Sequence, residues 1–225
     1  MSIQLHDAMR NILAMPYYKN ENARSGEVVH GHEAAVALRI KDLGFTEVHS
    51  SQFKKLKSIL KKWARSGDDS DLRKATAGIK PGSYILQPSG TQGFPDILVL
   101  DFNNRFVAVE CKSMKNYCPM WNDSLPNPNA LYVLASGKYN ETTIFLGRDV
   151  ISQEEYDLMA EQEEAFAQIV KKYNPKMKSV DVHNRGWLLK SRKQYFQQGG
   201  EATTNYFKHE NRAICEANAL EYANQ

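Results

Sequence analysis

Cysteine is scarce in this chain: three residues in 225, Cys111, Cys118 and Cys215. An odd count without regular spacing excludes a framework of fully paired disulfides and offers no zinc-ligand pattern, so free thiols in a reducing compartment are expected. Long apolar runs are missing as well. Nothing approaches the roughly 20 residues that a membrane-spanning helix needs. The segment from Met1 to Met15 carries His6, Asp7 and Arg10 among its apolar positions and lacks the apolar stretch of a signal peptide. No repeat or low-complexity tract is present, which excludes solenoids and fibrous arrays. Neither sign of charge dominates. A net charge of +3 and a pI near 8.6 are compatible with a polyanionic partner but far from histone-like. A soluble, cytoplasmic globular protein is the expectation, and 42% hydrophobic with 24% charged residues supports it over disorder.

Apolar spacing predicts a short helix over 3–15, with Ile3, Met9, Ile12 and Leu13 inward, then a polar loop from Tyr17 to Ser25. A longer helix is predicted from about Gly26 to Leu43, stopped by Gly44, followed by a short strand from Phe45 to Val48. Residues 51–80 read as a module of their own. There Phe53, Leu56, Ile59, Leu60 and Trp63 recur at helical spacing, with Lys54, Lys55, Lys57, Lys61, Lys62 and Arg65 between them. Strands are predicted at Tyr84–Gln87, Ile97–Asp101, Phe106–Cys111, Leu131–Ala135 and Thr143–Leu146. Ser152 and Glu155 form a capping box opening a helix to about Tyr173. A strand or loop near Trp187 to Lys190 and a helix from about Asn211 to Tyr222 complete the chain. Strands flanked by helices make this an α/β protein with a mixed central sheet.

One short stretch carries chemistry: Pro95-Asp96, then Glu110-Cys111-Lys112. Strand alternation puts Glu110 and Lys112 on the face of Phe106 and Ala108, with Val107, Val109 and Cys111 on the other. Charges at the end of a strand that is apolar on both faces are costly unless paired or bound to metal. Asp96 and Glu110, with a backbone carbonyl (that of Cys111), make an all-oxygen site suited to Mg²⁺. Lys112 then stands beside an attacking water, to deprotonate or orient it, and metal and ammonium together stabilise a phosphodiester transition state. The competing reading is a structural ion pair at a strand end. A two-residue turn at Asn103-Asn104 would put Asp96 opposite Cys111, on the wrong face. An odd-length turn or a bulge between Asp101 and Phe106 is therefore predicted; a turn over Asn103 to Arg105 would place Asp96 opposite Lys112.

With thirteen residues between Asp96 and Glu110, the pattern resembles the PD-(D/E)XK nuclease superfamily. The lead-in Gln87-Pro88-Ser89-Gly90-Thr91-Gln92-Gly93-Phe94 and the downstream Pro126 to Val150 look like those of type II restriction endonucleases; the likeness covers about residues 26–150. It implies a restriction-endonuclease-like core, Mg²⁺-dependent cleavage of double-stranded DNA at a short specific site, 5′-phosphate ends, homodimers and a separate methyltransferase partner. One endonuclease domain over 1–225 follows, with a basic helical insertion at about 51–80 and a recognition or dimerisation part at about 151–225. The resemblance also implicates a carboxylate on the helix before the sheet, the place of Glu33 in Gly31-His32-Glu33; the alternative for Glu33 is a solvated helix residue.

DNA contacts are expected from Lys54, Lys57 and Lys61 on the basic helix. Gln92, Asn122, Lys138, Asn184, Arg185, Lys190, Arg192 and Lys193 are the candidates for backbone or base-edge contact. His30 and His32 lie two apart, which splays them on a helix, so they are read as surface or DNA-proximal residues. His183-Asn184-Arg185 lacks the further spaced histidines of an HNH nuclease. Two other functions compete: a structure-specific repair or junction-resolving nuclease, and a non-catalytic DNA-binding module.

Overall fold

The computed structural model describes residues 5–17, 31–53, 56–91, 93–122, 125–189 and 194–225. Lys54, Lys55, Gln92, His30, Ile3, Lys190, Ser191, Arg192 and Lys193, the segment from Gly26 to His30 and the side chain of Arg65 lie outside it.

A six-stranded mixed sheet organises the chain, in the order β1 (Thr46–Glu47), β2 (Ser83–Leu86), β3 (Ile97–Leu100), β4 (Phe106–Met114), β6 (Ala130–Ser136), β7 (Glu141–Leu146). β2, β3 and β4 form an antiparallel meander; β4 and β6 run parallel, and β6 and β7 antiparallel. A separate two-stranded ribbon joins β5 (Trp121–Asn122) to β8 (Gln194–Tyr195), an element absent from the expected set. The expected α/β class is what the chain adopts. No helix among the described residues is long and apolar enough to cross a membrane.

Alternation along β3 and β4 divides the interior into two cores, one on each side of the sheet. Val99, Val107 and Val109 join Val133 and Ile144 on one side, under α1 (Leu5–Leu13), α2 (His32–Asp42) and α7 (Arg212–Asn224). Leu98, Phe106, Ala108 and Tyr132 face the other side. There the apolar positions of α3 (Leu56–Ser66) and α4 (Ser70–Ala75) cover them, with Leu56, Leu60, Trp63 and Leu72 all buried. Residues 51–80 thus lie between β1 and β2 in the chain, and their helices form one wall of this core. α4, which the sequence pattern did not reveal, follows a turn at 67–69.

Helix α1 buries Met9 and Ile12 as expected, and Leu5 and Ala8 besides. Within the described residues α2 begins at His32 and ends before Gly44, whose φ of 86° is the left-handed conformation that glycine adopts without strain. Leu38, read as part of its apolar run, points to solvent. α5 (Gln153–Ser179) opens on the expected capping box: Ser152 Oγ accepts from Glu155 N–H and the Glu155 carboxylate accepts from Ser152 N–H. It runs six residues past Tyr173, through Pro175, and buries none of its residues. The short α6 (Glu201–Thr204) precedes α7.

Candidate functional site

The site is built where the pairing of β3 with β4 ends, midway along β4, and the turn between the two strands decides its geometry. Asp101 and Asn104 close a tight turn, with Asn104 N–H donating to Asp101 O at 3.0 Å and Asn104 at φ 62°. Asp101 N–H donates to Arg105 O, leaving the three-residue loop Phe102–Asn104. The odd length is as predicted, one residue earlier than the Asn103–Arg105 span considered. Leu100 pairs with Phe106 and Ile97 with Val109, so continuing the register puts Asp96 opposite Glu110, not Lys112. Opposed residues of an antiparallel pair share a face, so two carboxylates approach each other where that pairing ends. Asp101 holds this register: its carboxylate accepts from Arg105 N–H and Nε, and the Arg105 guanidinium lies over the Tyr222 ring of α7.

Asp96 is held from two sides. Its Oδ2 accepts from Cys111 N–H at 2.8 Å, and its own carbonyl accepts from Gln87 N–H at 2.7 Å. Lys112 Nζ donates to Glu110 Oε1 at 2.7 Å. The other oxygen, Glu110 Oε2, is buried without any hydrogen-bond partner. Glu33 comes in from α2, where its Oε2 accepts from Gln87 Nε2 at 3.4 Å. Four of the expected residues therefore converge: Asp96, Glu110, Lys112 and Glu33. Cys111 packs partly buried against the helix-covered core on the far side, as its place in the alternation requires.

The electrostatics are those of crowded, buried carboxylates beside one ammonium. Burial, then the neighbouring Glu110 charge and more weakly Glu33, push the Asp96 carboxyl up to about 7 against the pull of the Cys111 N–H. Glu33 is raised by burial and by Glu110, partly offset by its bond from Gln87. Burial alone would lower the Lys112 ammonium, but Glu110 and Asp96 more than offset it and its pKa is raised. Lys112 is thus kept charged, which suits it to orienting water and stabilising anionic charge rather than to taking a proton.

A divalent cation fits this donor set. Glu110 Oε2 lacks a partner, Asp96 keeps one carboxylate oxygen uncommitted by the Cys111 bond, and a cation between them would offset the Glu110 charge that raises Asp96. No group of three or more His, Cys, Asp or Glu side chains stands in metal-holding geometry among the described residues. Mg²⁺ does not require one, since it is held through one or two carboxylates plus water and phosphate oxygens.

Other expected contacts sit elsewhere. Lys57 and Lys61 are exposed on α3, on the sheet side that carries Phe106, Ala108 and hence Glu110. Lys62 of the same helix is neutralised by Asp71 at 2.6 Å. Asn122 lies in β5. Lys138, after β6, pairs with Glu201 at 3.3 Å and stands over the Tyr117 and Tyr139 rings. Asn184 and Arg185 are exposed in the turn after α5, where Asp181 accepts from the Arg185 and Gly186 amides.

His32 corrects the sequence expectation of a surface histidine. It is 2% exposed, its Nε2 lies 3.2 Å from Val133 O, and its Nδ1 has no partner. As the first residue of α2 it turns toward β6, and burial lowers its pKa. Two participants were missed in the sequence. Gln87, which ties both Asp96 and Glu33, was visible only as the start of the glycine-containing lead-in. Tyr132, paired with Glu110 across β4 and β6, stood out only as a member of the expected strand Leu131–Ala135. Comparison of the chain with protein families, with curated proteins and with solved structures gave no match.

Proposed function

We propose that the chain is a Mg²⁺-dependent endonuclease of the PD-(D/E)XK kind, most like a type II restriction enzyme that cuts double-stranded DNA at a short specific sequence. The observation that carries this reading is the convergence of Asp96, one residue before β3, on Glu110 of β4, with Lys112 bonded to Glu110 and one Glu110 oxygen buried without a partner. Asp96, Glu110 and the Cys111 carbonyl would hold the cation, and Glu33 would add a further carboxylate at the edge of the site. When bound, Mg²⁺ supplies Lewis-acid polarisation of the scissile phosphate. Asp96 is oriented by the Cys111 amide and Gln87 before any substrate arrives, so little reorganisation is needed. Lys112, kept protonated by Glu110, orients the attacking water and meets the charge that builds on the phosphoryl oxygens. Lys57 and Lys61 give the same side of the sheet a cationic approach for the phosphate backbone. Cutting both strands of a symmetric site calls for two such centres related by a two-fold axis.

Incubation with supercoiled plasmid, with and without Mg²⁺, tests the proposal. Discrete linear bands with 5′-phosphate ends are expected, and Asp96→Ala or Glu110→Ala should reduce cleavage on the order of 10²–10³-fold while leaving DNA binding in place. Cleavage that persists in both variants eliminates the site. A smear or structure-dependent nicking would favour a repair or junction-resolving nuclease. In a binding assay, Lys57→Gln with Lys61→Gln should flatten the slope of log affinity against log salt by about 0.9 for each lost phosphate contact.

A further inference from the structure

α5 leaves the sheet as an exposed rod about 40 Å long, from its 27 residues at 1.5 Å each. Phe166, Ile169, Tyr173 and Met177 recur at spacings of three and four, which places them on one face, and they are 44%, 50%, 51% and 46% exposed. Met159 and Val180 extend the same stripe at either end. A helix face of this kind is a partner-binding face. Among the described residues, the chain that returns after α5 meets a neighbouring side, where Glu163 bonds Tyr195 and Asn174 bonds both backbone groups of Leu189.

Charge identifies the partner. Residues 153–167 contain six acids (Glu154, Glu155, Asp157, Glu161, Glu163, Glu164) and no Lys or Arg. Residues 168–180 contain four lysines (Lys171, Lys172, Lys176, Lys178) and no acid. The helix dipole favours acids in the first turn and bases in the last, but its reach ends there, and Glu161, Glu164 and Lys171 lie well inside. A helix so divided is complementary to itself when reversed. We propose that α5 packs antiparallel against α5 of a second copy of this chain, about a two-fold axis between Phe166 and Ile169. The apolar stripes then cover each other, and Glu161 and Lys172, which share the flank of the stripe next to Ile169, come to the same side of the pair at nearly the same height. A parallel pair would set acid against acid and base against base. The pairing supplies the two-fold arrangement that the proposed DNA-cutting function calls for, and in that respect rests on that reading; its physical support is the helix alone.

Light scattering on the full-length protein across the micromolar range tests it. A dimer is expected. Ile169→Glu and Phe166→Glu should each weaken association at least about tenfold while the chain stays folded by far-UV circular dichroism, with a melting temperature that loses its dependence on protein concentration. Glu161→Lys and Lys172→Glu should each weaken the dimer, and the two reversals combined in one chain should restore it. A wild-type chain that stays monomeric, a dimer indifferent to Ile169→Glu, or single charge reversals without effect would each overturn the pairing. So would a monomer whose DNA binding is lost in Ile169→Glu, which would assign the stripe to nucleic acid. Dimers that do not cut DNA would sink the nuclease reading alone, and monomers that linearise plasmid would sink the pairing alone.

Discussion

β3 and β6 bury every residue from Ile97 to Leu100 and from Ala130 to Ser136, whereas α5 buries none of its 27. In the sheet, each side chain is positioned by residues distant in sequence: Glu110 pairs with Tyr132 across one ladder, and the register of another, continued one residue past Ile97, brings Asp96 to it. In α5, the determinants are local, namely a capping box, acids at the start and lysines at the end. A charged group can be held under strain in the sheet because its surroundings over-determine it. The long helix has no such surroundings, so its chemistry is that of a surface.

The comparison can be broken most directly by truncation. Ile97→Ala should cost about 3 kcal/mol in urea unfolding, while Val182→Ala, in the exposed chain after α5, should stay within about 0.5 kcal/mol. Equal losses would show that the arm is as integral as the sheet. A smaller effect, with the opposite sign, is expected at the site. The Asp96 carboxyl is raised from 3.8 to about 7, so the folded state binds a proton that the unfolded state has released between those values. Its favourable contribution is complete below about pH 4 and is lost as pH rises through 7. Asp96→Asn, which retains an acceptor for the Cys111 amide, should therefore stabilise the cation-free protein by roughly 1–2 kcal/mol at pH 8 and by progressively less toward pH 4. If Asp96 holds Mg²⁺ as proposed, the same titration would make Mg²⁺ affinity rise with pH through 7, and calorimetric binding in two buffers would detect proton release. Destabilisation by Asp96→Asn at pH 8 would contradict the crowded-carboxylate account. Smallest of all, Ser152→Ala should cost about 1 kcal/mol, read locally as faster amide exchange in the first turn of α5 with an unchanged global melting temperature.

Much of the sheet was legible because β-branched and aromatic residues alternate between turn-forming clusters, and each expected strand from Tyr84 to Leu146 appears within a few residues. The Ser152 box located the start of α5, but not its end: Asn174-Pro175 has the form of a stop, yet the helix continues to Ser179 while Asn174 bonds the returning Leu189. In the site, the identities of Asp96, Glu110 and Lys112 stood out because charges interrupt an apolar strand. Gln87 did not stand out, since a glutamine opening a loop has no periodicity to betray its partners. His32 was misplaced for a related reason. Helical spacing gives its direction around α2, but only the packing of α2 on β6 makes that direction inward.

Local physics therefore specified the strands, the helix start at Ser152 and the charged residues that interrupt β4, since each depends on near neighbours in the chain. Long-range packing decided which carboxylate faces which, how deeply Glu110 and His32 are buried, and that the basic helix shares a side of the sheet with Glu110. Those outcomes follow from a three-residue turn and from helices closing over both faces of a sheet, where a one-residue change of register would turn every side chain of the strand to the opposite face.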